Sequence, residues 1–145
     1  MIRLVEGDAA TRAPLTTWLA ACLGVPGSLI TSRLTRLECR SKPLQVGDLA
    51  TLAQFDVFFA GVELILAEVS PMVIERATEL RARHNLKTPD AIHYATAIVG
   101  GATVFLTGDR ALARCSEVPV EVLSRANGRE AAPSAGAIRR FDVDL

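Results

Sequence analysis

The chain has 145 residues, half of them hydrophobic, and its 16 basic and 16 acidic side chains leave a formal net charge of zero. That is one ordinary domain with apolar side chains enough for a real core, and without a global positive charge to hold nucleic acid, so any such contact must be local. No apolar run approaches the roughly 18 residues of a membrane span, and no charged start with an apolar core marks a signal peptide. Cys22, Cys39 and Cys115 fit neither a zinc spacing nor a disulfide framework, so reduced thiols in a cytoplasmic protein are expected.

In chain order, Ile2, Leu4 and Val5 precede a break at Glu6-Gly7-Asp8, which reads as the end of an element. A helix is expected from Thr11 or Ala13 to Cys22, with Pro14 tolerated only in its first turn. Gly24-Val25-Pro26-Gly27 is a turn cluster, and Ser28 to Thr31 is a short strand. Ser32 caps a helix to about Arg40, with Leu34 and Leu37 on its buried side. Glu38 borders that apolar stripe and either snorkels at its edge or lines a site. Arg33, Arg36 and Arg40 share another face, solvated or a patch for RNA phosphate or a partner protein. Lys42-Pro43 is expected to end this helix.

Asp48 caps the next helix, Leu49 to Phe59. It is more apolar than one core face requires, which suits a core helix or a dimer interface. A strand is expected at about Glu63 to Leu66. Ser70-Pro71 opens a helix to about His84, with Val73, Ile74, Ala77 and Leu80 inside and Asn85 ending it in the left-handed conformation.

In Lys87-Thr88-Pro89-Asp90, Thr88 is the expected N-cap, Pro89 the first helical residue and Asp90 the second. There Asp90 either completes the cap or serves a site. Ala91, Ile92, Ala95, Ile98 and Val99 recur at helical spacing as the buried face. Thr103 to Leu106 reads as a buried parallel strand, and Thr107-Gly108-Asp109 ends it before Arg110 to Ala113 resumes as a helix. An acid at the C-terminal end of such a strand lies where α/β sheets place ligands. Val120 to Leu123 is a last short strand. The alternation predicts an α/β fold, a three-layer domain with a short parallel sheet flanked by helices. Residues 1–125 form the domain; 126–145 read as a linker and a tail in which Phe141, Val143 and Leu145 alternate with acids.

The segments Thr88-Pro89-Asp90-Ala91-Ile92-His93-Tyr94-Ala95-Thr96-Ala97 and Thr107-Gly108-Asp109-Arg110-Ala111-Leu112 resemble the second half of a PIN domain, most like the VapC-type toxin ribonucleases. The resemblance covers about residues 1–125. It implies endonucleolytic cleavage of RNA by a carboxylate cluster that holds Mg²⁺ or Mn²⁺, with Glu38, Asp90 and Asp109 as catalytic and metal-binding residues. It also implies an antitoxin partner whose arginine reaches the acids, and a homodimer, with Leu49 to Phe59 as the surface for one of them. PIN domains open with a central strand ending in an aspartate, and residues 2–8 resemble the first helix and its exit, which come after that strand. The chain is therefore expected to lack the strand, with Asp8 as a helix cap. Its place falls either to residues upstream of Met1 or to the tail, through Asp142 or Asp144. An alternative function is a catalytically degenerate PIN domain that binds RNA or protein without cutting. His84 and His93 could suggest a histidine-based site, but their spacing is no ligand motif and they fall on different helices. His93 is expected to pack or hydrogen-bond near Asp90.

Overall fold

A computed structural model describes residues 20–123. The expectations for Asp8, for the first strand and for the tail lie outside these residues. Residues 20–22 are the end of a helix that closes at Cys22, as expected. Next come β1 (Leu29–Ser32), α1 (Arg33–Val46), α2 (Leu49–Phe59), β2 (Leu64–Ala67), α3 (Pro71–His84), α4 (Thr88–Val99) and β3 (Phe105–Thr107). A 3₁₀ turn (Arg110–Arg114) and β4 (Val120–Val122) complete the described chain. The architecture is the expected mixture of parallel strands flanked by helices.

Local chemistry sets most of the boundaries. The hydroxyl of Ser32 accepts the Leu34 N–H at 3.0 Å, that of Ser70 accepts the Val73 N–H at 3.3 Å, and the Asp48 carboxylate accepts the Thr51 N–H at 3.0 Å. Each satisfies a donor that the first turn leaves open. Asn85, at φ 50°, ends α3 in the left-handed conformation with its N–H on the Arg81 carbonyl.

Ile74, expected inside α3, is 42% exposed, and three further expectations are corrected. Pro43 does not end α1: the helix runs to Val46, and Gly47, at φ 70°, caps it. The proline removes one donor in the last turn, its ring is buried, and its carbonyl accepts the Asp48 N–H at 2.9 Å. The inward face of α1 carries Thr35 and, one turn on, the half-buried Glu38, whereas Leu37 is 63% exposed. The N-cap of α4 is Lys87, so Asp90 is the third helical residue, and the Thr88 hydroxyl instead accepts from Arg81 at 2.8 Å.

The strands form two parallel pairs. β1 pairs with β2 from Leu29 opposite Leu64 to Ser32 opposite Ala67, and β3 with β4 from Phe105 opposite Val120 to Thr107 opposite Val122. The Leu29 N–H donates to Glu63 and the Phe105 N–H to Pro119, each at 2.8 Å. Neighbouring residues of a strand turn their backbone groups to opposite edges, so Ile30 and Leu106 face away from these partners. Among the described residues no strand joins the two pairs.

Helix α4 joins them instead. Its Tyr94 is fully buried and stands edge-on to Phe105 of β3, ring centroids 5.1 Å apart. The Tyr94 hydroxyl accepts the Val118 N–H at 2.8 Å and donates to the Val118 carbonyl at 2.9 Å, tying down the approach to β4. Ala91 and Ala95 pack with Val73, Ala77 and Leu80 of α3. At the other end of the helix, a Cβ on Gly100 would lie 2.2 Å from Ile30 Cδ1 and 3.0 Å from the Thr96 carbonyl oxygen, so glycine lets α4 press onto β1. The buried face is therefore Ala91, Tyr94, Ala95, Thr96 and Ala97, with Ile92 and Ile98 half-buried and Val99 40% exposed.

A second buried polar tie holds the loop after the 3₁₀ turn. Glu117 Oε1 accepts from Nε2 of His84 and from Arg83, each at 2.8 Å. Burial alone would raise the Glu117 carboxyl, but the bonds from His84, its own N–H, the Ser116 N–H and Arg83 outweigh it and bring the pKa to about 2.

Both ties can be tested through stability. Tyr94→Phe strands the Val118 N–H in the core and is expected to cost about 1–3 kcal/mol, read from urea unfolding. Glu117, depressed in the folded state, stabilises it above the ordinary carboxyl range, and this contribution is lost as pH falls from about 4.5 toward about 2. Glu117→Gln should therefore lower the melting temperature at pH 7 and flatten its fall across that acid window.

Candidate active site

Glu38 comes from α1 and Asp90 from the first turn of α4, and both helices touch β1. His93 lies one turn after Asp90 on the same side of α4, within reach of its charge. His93 Nε2 lies 2.9 Å from Glu38 Oε2, with side-chain exposures of 10% and 24%. Burial pushes the His93 ring pKa down, while the charges of Glu38 and Asp90 pull it partly back up. Its expected place near Asp90 holds. Its bond to Glu38 is not expected from the sequence, because nothing there shows that α1 comes within reach of His93.

Asp109 opens the 3₁₀ turn, where its Oδ1 accepts the Ala111 N–H at 2.8 Å, and its own N–H donates to the Thr107 hydroxyl at 3.0 Å. The structure thus joins Glu38 to His93, places Asp90 one helical turn before that histidine, and shows Asp109 as a cap at the end of β3. Among the described residues no three His, Cys, Asp or Glu side chains stand close enough to hold a metal ion as a set. Magnesium-type ions, however, seldom sit in all-protein cages; they take one or two carboxylates and complete their shell with water and substrate phosphate. The hard oxygen donors of Glu38 and Asp90 fit that requirement, with no soft ligand beside them.

The arginines of α1 are engaged. Arg33 pairs with Glu68, and Arg36 and Arg40 both pair with Asp56, while Arg36 lies 5.6 Å from the centroid of the Phe59 ring. They border a groove of about 650 Å³ floored by Leu34, Leu37 and Leu44, on the side of α1 away from Thr35. His84 and His93 belong to separate sites, on α3 and α4.

Parallel strands flanked by helices define the class as a mixed α/β domain. The family profile described as PIN domain matches residues 1–118, and the chain belongs to that family. No curated protein and no solved structure matches the chain. No helix of the described residues is long and apolar enough to cross a membrane.

Proposed function

We propose that the chain is a Mg²⁺- or Mn²⁺-dependent endoribonuclease, the cytoplasmic toxin of a toxin–antitoxin pair. The observation that supports this reading is the bond of Glu38 to His93, one turn after Asp90, in a chain of the PIN domain family. Glu38 and Asp90 would hold the ion, with Asp109 completing the acid set at the end of β3. When bound, such an ion lowers the pKa of a coordinated water and offsets charge on the phosphate. The chain's own part is placement. α1 and α4 would each supply one acid, and the open N–H groups at the start of α4 favour an anionic phosphate there. Cleavage that requires metal and Asp90 distinguishes this reading from a PIN domain that binds RNA or protein without cutting, the reading that the lack of a three-acid cluster among the described residues favours.

The purified protein should cut RNA with Mn²⁺ and not in EDTA, and Asp90→Asn should lower kcat at least about 100-fold while leaving the melting temperature unchanged. Equal cleavage in EDTA, or full activity in Asp90→Asn, contradicts the proposal.

The same reading includes a partner, either a second copy or an antitoxin whose arginine pairs with the acids in bidentate fashion. Helix α2 supplies surface for it: Leu52, Phe55 and Phe59 are buried, yet Leu49 and Val57 are 75% and 76% exposed. Sedimentation should show a dimer, or a complex with a small co-expressed antitoxin, that Val57→Glu weakens. A wild-type monomer that captures no such protein counts against it.

A further inference from the structure

We propose that His93 is a positioning residue, whose Nε2–H fixes one oxygen of Glu38 and leaves the other for the metal ion of the proposed site. The inference rests on the metal-site reading above and adds to it the group that orients its acid.

Three observations support it. The contact is of hydrogen-bond length, 2.9 Å, and joins residues of two different helices. A carboxylate oxygen can only accept, so the proton in this bond belongs to the ring nitrogen. The ring is 10% exposed and Glu38 24% exposed, so water competes weakly and the bond holds one geometry. A glutamate with three free torsions would otherwise spread its carboxylate over several rotamers, which metal binding would have to freeze out. Outer partners that orient ligands in this way are worth about 10–100-fold in metal affinity or activity.

The arrangement also fixes what His93 is not. Its Nε2 is committed to Glu38, so that nitrogen is not free to ligate the ion or to take a proton from water. Its packing against the inward side of α1 could alone have explained burial, and the test is built to separate packing from orientation.

Two variants do so. His93→Gln keeps an N–H donor near the place of Nε2, whereas His93→Leu keeps bulk and removes the donor. Mn²⁺ titration calorimetry, thermal melting and RNA cleavage would be measured for both, beside wild type and Asp90→Asn. In the metal-free wild type, the ring ¹⁵N shifts should show the proton on Nε2. His93→Leu should bind Mn²⁺ about 10–100-fold more weakly and lose activity by a similar factor, and His93→Gln should recover most of both. If both variants bind Mn²⁺ like wild type, or both lose binding in step with melting temperature, His93 only packs and the inference is overturned. A ring protonated on Nδ1 alone overturns it without reference to metal. If wild type binds no Mn²⁺ and Asp90→Asn changes nothing, the metal-site reading itself falls and the inference with it. Loss in Asp90→Asn with His93→Leu unaffected removes the inference alone.

Discussion

Everything in this structure depends on α4 being small and apolar along one side. Two parallel pairs of strands stand apart among the described residues, and α4 is the body both touch: through Gly100 against Ile30 of β1, and through Tyr94 against Phe105 of β3 and the backbone of Val118. The alanines at 91, 95 and 97 let the helix sink into the interior, where larger side chains would hold its neighbours off. A helix so placed has little freedom of rotation, and that constraint is what gives its first turn a defined position.

The candidate site is a consequence of this placement. Once α4 lies against β1, the helix that leaves β1 must pass close to the start of α4, because Ser32 caps α1 directly at the strand end. Thr35 and Glu38 then share the side of α1 that turns inward. The acid borders a buried region yet is not stranded, because His93 supplies a donor within it. The same economy recurs at Glu117, where His84 and Arg83 hold a carboxylate in a mostly apolar loop. Half-buried acids bonded to a histidine thus occur twice among the described residues, at Glu38 and at Glu117.

Much of this is legible in the residues. Ser32, Asp48, Ser70 and Asn85 each mark a helix end by chemistry that acts within four positions, and all four stand where the local pattern puts them. Periodicity does less well on α1 and α4. Leu37 fits the apolar stripe and is exposed, and Tyr94 falls outside the expected buried face and is the most enclosed large side chain of its helix. Hydrophobic spacing reports which side of a helix is apolar. It does not report which neighbour lies there, and Tyr94 is inside because a backbone segment from beyond β3 offers both a donor and an acceptor for its hydroxyl. Pro43 is no breaker at its position, since in a last turn the loss is one hydrogen bond. Of the three acids taken from the family resemblance, Glu38 bonds the histidine one turn after Asp90, while Asp109 serves as a cap on the 3₁₀ turn. Bringing α1 to α4 needs contacts across the whole domain, which no local pattern encodes.

The central claim is that the acids of α1 and α4 form one metal-binding point. Anomalous diffraction from crystals soaked in Mn²⁺ tests it most directly. The account predicts one strong peak within coordination distance of Glu38 and Asp90, absent from crystals of the Asp90→Asn variant. A peak elsewhere on the domain, or none at saturating Mn²⁺, would contradict it.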